Sequence, residues 1–442
     1  MSQIEEKAQD VDRLFALFRQ QQTEIGGEVT AKDKRELRKR LKVLEGELNE
    51  RLANDYGVKK SSPVKYQRWL NSYKPFNWFV EFHSLMKKGG FDSVIGNPPY
   101  IELKELVEYY PINYGSEDAG NIYALMLERS LSLRAANGRV GMIVPVSSVS
   151  TDRYKVLQDL LLKNQLHYSS FDDRPSRLFE GLEHIRLTIH LIGLPSVTRR
   201  LFSTRYNKWS SVQRPQLFET LRYAESSAVS LNGALPKLSC DLEVEILSKL
   251  LSDPSRLSLF YSRSSPHRIY YSRKVGYFLQ ILDFEPVVLD GNGDRRPPSE
   301  FKELRFGTEK QARMALCCLN SNLFYWFITV ASDCRHVNKR EIDGFPINLS
   351  KLAASDAAGT LAGLAESLMM DLQKHSESRK MRFKHDSLTV QCIFAKKSKR
   401  IIDEIDRVLA QHYGFTAEEL DFIINYDIKY RMGLGGDQES EE

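Results

Sequence analysis

Asn97, Pro98, Pro99 and Tyr100 are the residues of this chain best suited to chemistry, and they stand next to one another without a gap. They close the run Gly90-Phe91-Asp92-Ser93-Val94-Ile95-Gly96, which reads as a short apolar strand. Two adjacent prolines lack backbone donors and fix φ, so the strand cannot pass Gly96. The four residues are thereby held at the carboxyl end of a strand, where open α/β sheets keep their ligand sites. Asn97 brings a side-chain carbonyl, and Pro98 a backbone carbonyl with no N–H beside it. Two acceptors with a flat ring, Tyr100, next to them suit an exocyclic amino group on a planar heterocycle. The plainer alternative is a turn that only ends the strand.

With Phe-Asp-Ser-Val-Ile-Gly before it and Ile101 after it, Asn-Pro-Pro-Tyr resembles the catalytic tetrapeptide of the amino-methylating DNA methyltransferases. The resemblance is specifically to the adenine-N6 group of the restriction–modification, Eco57I-like type. It implies double-stranded DNA as substrate, S-adenosyl-L-methionine as methyl donor, and an adenine flipped out of the duplex. It further implies that Asn97 and Pro98 accept from the amino group, that Pro99 stiffens the turn, and that Tyr100 stacks on the base. The chemistry fits these residue types. An adenine amino group is a poor nucleophile because its lone pair is delocalised, and two carbonyl acceptors localise it. Positioning and fixed dipoles do most of the work, with no strong base at the outset.

The elements around this turn alternate. Asn121-Ile122-Tyr123 opens a helix that ends near Asn137-Gly138, and Val140–Pro145 is a buried strand. Tyr154–Leu162 is helical, and His167–Phe171 and Leu187–Ile192 are strands. Alternation with continuous apolar strands predicts a mainly parallel sheet covered by helices. By resemblance, Asn121 lies near the methionine end of the cofactor, as does Asn97, and Gly138–Pro145 is the next strand and its turn. The polar segment Phe171–Gly181 carries Phe179, to which the resemblance assigns a second ring against the flipped base; the alternative is a core phenylalanine. Asp172, Asp173 and Arg174 could form an ion-pair network that shapes this loop.

The fold class expected is α/β: a partial Rossmann-like methyltransferase sheet with an N-terminal helical segment and a C-terminal mixed α+β target-recognition domain. The divisions are 1–70 helical, 71–195 catalytic, 196–350 target recognition, 351–432 helical, and 433–442 a disordered acidic tail. In the first stretch, Leu14, Phe15, Leu17 and Phe18 form one apolar stripe. Leu37, Leu41, Leu44, Leu48 and Leu52 form another, after Gly26-Gly27 and a cap at Thr30. The basic run Lys32–Lys42 reads first as a solvated helix face and second as a DNA-contacting arm. The recognition region interleaves basic and aromatic residues, and its candidates for DNA contact are Arg268, Arg273, Lys274, Arg335, Asn338, Lys339 and Arg340. The aromatics at 324–327 read as helix core. In the last stretch, Ile401, Ile402, Ile405, Val408 and Leu409 mark an amphipathic helix, and Thr416 caps the final one.

Composition sets limits. The chain has 442 residues, 42% hydrophobic and 27% charged, with a formal net charge of +5. These values suit a globular protein that can bind nucleic acid. No apolar run reaches the length of a membrane span, and the polar start does not read as a secretory signal. The five cysteines show no metal or disulfide spacing, so no metal is expected and a prokaryotic cytoplasm is. Asp241, Glu243 and Glu245 fall on a helix and do not gather as a nuclease site. The resemblance covers roughly residues 75–432. It calls for a strand, glycine-rich turn and helix before the tetrapeptide to hold the cofactor. Gly26-Gly27 lies between helical patterns and fails that test. The sheet is therefore expected to have an open apolar edge, with the missing half on a separate chain. An inactive fragment and a DNA-recognition subunit are the alternatives.

Overall fold

A computed structural model describes residues 31–382 and 387–433, without the side chains of Asp33, Lys34 and Leu37. The stripe Leu14–Phe18, Gly26-Gly27, Thr30 and residues 434–442 lie outside the described residues. The chain forms two compact units. The first comprises residues up to Val144 with Asp159–Leu166 and Ile189–Arg199. The second comprises Pro145–Gln158, His167–Thr188 and everything from Arg200.

The first unit begins with helix α1 (Ala31–Asp55) and helix α2 (Pro63–Tyr73). Pro63 sits in the first turn of α2, where its missing N–H costs nothing. On α1 only the second half packs: Leu44 and Ala53 are fully buried, while Lys32, Arg35 and Arg38–Arg40 are exposed. Tyr56, Trp69, Tyr73 and Tyr109 join α1, α2 and the loop after the tetrapeptide through ring contacts of 4.6–5.9 Å. Two helical turns, Trp78–Glu81 and His83–Lys87, lead to strand β1 (Phe91–Gly96). Gly90 makes that entry possible. Its φ is +117°, and a Cβ there would lie 2.4 Å from the Leu133 carbonyl oxygen.

Helix α3 (Ile122–Leu133) comes next, then strand β2 (Arg134–Pro145), parallel to β1. The helix ends four residues before the Asn137-Gly138 turn expected of it. Arg134 is already extended there, and its guanidinium donates to the Gly193 carbonyl (2.5 Å) and to Asn164 Oδ1 (2.9 Å). The register then jumps, Phe91 facing Arg134 and Ser93 facing Arg139, before settling with Gly96 opposite Met142.

Strands β3 (Asn164–Phe171), β4 (Leu187–Pro195), β5 (Arg200–Asn207) and β6 (Ala224–Glu225) complete the sheet, in the order β1-β2-β4-β3-β5-β6. The sheet is mixed, against the mainly parallel expectation. Strands β5 and β6 are antiparallel. Gln165 meets Gly193 while Ser170 meets Thr188, so β3 and β4 also run in opposite senses. Residues 172–186, which join them, contain no helix to carry a parallel crossover.

The second unit is dominated by helices. Helix α4 (Asp241–Leu251) precedes strands β7 (Arg268–Ser272), β8 (Ile281–Leu282), β9 (Val288–Leu289) and β10 (Phe301–Arg305). Strands β10, β7 and β8 form one antiparallel sheet. Helices α5 (Glu309–Asn320) and α6 (Asn322–Ala331) form the centre, and every residue of α6 is buried. Asp406 accepts from the Asn322 and Leu323 backbone N–H groups (both 3.0 Å), and Ser321 Oγ from Phe324 N, so the start of α6 is satisfied inside the core. No single helix among the described residues is long and apolar enough to cross a membrane.

Around them stand helices α7 (Ala357–Lys374), α8 (Lys399–Tyr413) and α9 (Ala417–Asn425). Thr416 caps α9 in a capping box with Glu419. The stretch 351–432 is not wholly helical. Strands β11 (Ser376–Arg382) and β12 (Ser387–Ile393) interrupt it; they pair with each other, and β12 also with β9. Strand β11 is charged and mostly solvated, while β12 is half-buried.

Candidate active site at the end of strand β1

The sequence breaks β1 after Gly96 and leaves Asn97 exposed, Pro98 buried, Pro99 exposed and Tyr100 half-buried. Tyr100 folds back over the turn. Its hydroxyl donates to Asn97 Oδ1 at 2.7 Å and lies 3.2 Å from the Ile143 carbonyl oxygen on β2. Its ring meets Tyr123 edge-on, with centroids 6.2 Å apart. Burial pushes the Tyr100 pKa up to about 12, so at neutral pH the hydroxyl keeps its proton and remains a donor. The acceptor that sequence assigned to a ligand is thus already holding a hydroxyl hydrogen at the position an amino hydrogen would take.

The chain after Tyr100 is fixed from both ends. Ile122 N donates to the Ile101 carbonyl (3.0 Å) and Leu103 N to the Gly120 carbonyl (2.9 Å). Asn121 is buried and caps α3, its Oδ1 accepting from Tyr123 N at 3.3 Å. Glu128, two turns further along α3, accepts from Gly115 N, Ser116 N and Ser116 Oγ at 2.6–2.9 Å. Sequence reading gave Glu128 no role.

Phe179 belongs to the second unit and is half-buried in the 172–186 loop. It lines an open cleft of about 1080 Å³ with Arg174, Arg177, Trp209 and Arg214. The base of the loop is held by Arg186, whose Nε lies 3.2 Å from Asp172 Oδ1 and 3.1 Å from Asp173 Oδ1. The expected network therefore exists with Arg186 as its cation, while Arg174 is exposed. Burial raises the Asp172 pKa; at Asp173 burial also acts upward, but Arg186, the Asp172 hydrogen bond and Arg174 together outweigh it and the net shift is down.

The recognition candidates divide. An isolated bridge pairs Lys274 with His336, and Val337 N donates to the Arg273 carbonyl (2.9 Å). The exposed side chains of Arg273, Lys274, Arg335, Asn338 and Lys339 are thereby carried on two neighbouring strands of chain. Lys339 also pairs with Asp343 (2.7 Å), and Asn338 caps the short helix Lys339–Asp343. Arg268 is paired with Glu303 (3.2 Å). Arg340 stands apart: its guanidinium donates to Asp152 Oδ1 (2.8 Å), the Gly233 carbonyl (3.0 Å), the Ser150 carbonyl (2.6 Å) and Glu341. That role is structural, which corrects its place among the DNA contacts. Glu243 likewise turns inward, accepting from Ser239 and Trp326, while Asp241 and Glu245 face solvent.

A mixed α/β chain with an amide, two prolines and a tyrosine at a strand end defines a small class of proteins, and comparison with known ones narrows it. Residues 3–179 match the family described as Eco57I restriction-modification methylase. That segment is thus similar to restriction–modification methylases, the family that the tetrapeptide resembles. A candidate type II restriction enzyme and methyltransferase from Methanocaldococcus jannaschii is 30% identical over 128 residues, 28% of this chain and 11% of that protein. Among solved structures, the type IIL restriction-modification enzyme MmeI in complex with DNA gives a TM-score of 0.41 at 10% identity. It is covered over 59% of its chain, against 82% of this one. A DrdV–DNA complex gives 0.35 at 10% identity, covering 82% of this chain and 58% of that one. The chain thus spans about a tenth of the curated relative and under two thirds of these structures.

Proposed function

We propose that this chain is the catalytic-loop and target-recognition polypeptide of a site-specific DNA adenine-N6 methyltransferase, working in a restriction–modification or phage-defence system. The observation that carries the proposal is the Asn97 carbonyl, exposed at the end of β1 and already accepting a hydrogen from Tyr100. A flipped adenine exchanges that hydroxyl for its own amino hydrogens. Asn97 Oδ1 and the Pro98 carbonyl accept them, pull the nitrogen out of conjugation and turn its lone pair outward. Freed from Asn97, Tyr100 stacks on the base, and Phe179 is its second ring. The exposed cations on the Arg273–Lys274 and Arg335–Lys339 segments suit phosphate contact.

S-adenosyl-L-methionine, which carries a methyl group on a sulfonium, is the donor we assign to the system. The described residues do not form its cradle. Those before β1 are helices and turns, with no strand and glycine-rich turn among them. Within the described sheet β1 is an edge strand, paired with β2 alone, and Ile95 on it is 85% exposed. We therefore assign the cofactor-binding half, completing a Rossmann-like sheet, to further polypeptide that pairs with this edge. The five free thiols suit the prokaryotic cytoplasm in which such a system would act.

The test is N6-methyladenine in the DNA of cells expressing the chain with its native neighbouring genes, read by mass spectrometry. Asn97→Ala should lower methylation by roughly 10²–10³-fold or more and leave duplex binding within about twofold. Undiminished methylation by that variant would end the proposed mechanism. Methylcytosine in place of methyladenine would end the choice of base.

A further inference from the structure

The first three turns of α1 are basic and solvated. From Ala31 to Arg40 every described side chain is exposed, Leu41 is half-buried, and full burial begins with Leu44. The stretch Lys32–Lys42 contains seven Lys or Arg and two Asp or Glu, a net +5. The whole chain has 63 cations and 58 anions, also a net +5. Removing these eleven residues leaves 56 of each sign, so the net charge of the protein resides in this one projecting helix end.

The arrangement works against the helix in isolation. Arg35 and Lys39, and Arg38 and Lys42, are like charges at i,i+4 spacing, which destabilises a helix by a few tenths of a kcal/mol per pair. Arg40 with Glu36 (3.0 Å) is the only ion pair between described side chains in the segment. Among the described side chains of the segment only Leu41 is drawn in, and it is half-buried, so little apolar burial offsets this repulsion. A helix bound to a lipid surface would need a broad apolar face as well.

We infer that residues 32–42 form a DNA-backbone arm, recognising the phosphates of duplex DNA without regard to sequence. The inference rests on the proposed function, for which it supplies a second anchoring point. Arg35, Arg38, Lys39 and Lys42 span about 10 Å of helix and meet a polyanion with one phosphate charge per roughly 1.7 Å of duplex axis. The rest of α1 is tied to the unit that holds Asn97. Asn49 Oδ1 accepts from Asn77 (2.7 Å), and the Tyr56–Tyr73–Tyr109 rings link the helix to the loop after Tyr100. A phosphate grip by the arm therefore restrains the catalytic unit on the duplex.

The experiment is binding of a mixed-sequence duplex by the full chain across a salt series. The quadruple variant R35Q/R38Q/K39Q/K42Q should bind every duplex roughly ten- to hundredfold more weakly, with the log–log salt slope reduced by about 3–4. Circular dichroism and the melting temperature check that the fold persists. A variant that loses helix is replaced by R38Q/K42Q, with about half the slope change expected. An unchanged slope in a folded variant overturns the arm and leaves the catalytic proposal standing. So does affinity for anionic vesicles but not duplex that vanishes in the variant. A wild-type chain, alone and with its native neighbours, that binds no duplex overturns both.

Discussion

Strand β1 and helix α6 both carry apolar residues at the heart of their units, and the structure treats them in opposite ways. Every residue of α6 from Asn322 to Ala331 is buried, and even its first backbone donors are satisfied by Asp406 and Ser321. Strand β1 has one paired edge, and around it Ile95, Phe76, Phe82 and Ile101 are left exposed at 85%, 57%, 37% and 38%. Buried titratable groups differ as well. In the second unit Asp427 is fully buried, yet Lys208 (2.9 Å) and Arg205 (3.3 Å) overcome the cost of burial and hold its pKa below the usual value. In the first unit His190 is fully buried, and burial lowers its pKa to about 3. The second unit buries its apolar helix and pairs its buried carboxylate. The first leaves apolar surface around β1 exposed.

The sharpest way to break this comparison is at α6. Trp326 is fully buried and its Nε1 donates to Glu243 Oε1 at 3.1 Å. Trp326→Ala should cost about 3–5 kcal/mol, seen as a lower denaturation midpoint. A loss below about 1 kcal/mol would mean the core is looser than its burial implies. Acid comes next. An unfolded His190 takes up a proton near 6.5, and the folded one only near 3. Stability should therefore fall as pH drops from 6.5 toward 3, with a His190 share approaching about 1.4 kcal/mol per unit. His190→Gln should flatten that slope, and an identical slope in the variant would show that other groups carry it. The smallest effect on folding belongs to Ile95→Arg, which should change the stability of the chain by less than about 0.5 kcal/mol. In cells carrying the native neighbouring genes, the same change should abolish methylation by blocking the edge of β1. Full methylation there would argue that nothing docks on it.

What could be read from sequence depended on whether the information was local. Pro98 and Pro99 announce the end of β1 by themselves, and the apolar runs at 140–145, 167–171 and 187–192 sit inside strands. The direction of β4 was not legible, because it comes from the absence of a helix in 172–186. Strand β11 was missed because Ser376–Arg382 is charged and solvated and looks like helix surface, whereas the apolar alternation of β12 was there to be read. Arg340 and Lys339 are neighbours of the same type in sequence. One reaches solvent, and the other is consumed by carbonyls from Ser150 and Gly233, partners more than a hundred residues away. Arg186 was overlooked for the converse reason: nothing near it in sequence shows that it faces Asp172 and Asp173.

The hydroxyl of Tyr100 ties the Asn97 amide to β2 as well as to its own strand. An exposed asparagine at a strand end would otherwise sample several rotamers and have to be frozen whenever a ligand arrived. Immobilising such a side chain costs about 0.5–1.5 kcal/mol on association. In this chain that ordering takes place during folding. An incoming amino group then has only to exchange one hydrogen bond for another of similar strength, and the carbonyl it meets is already aimed.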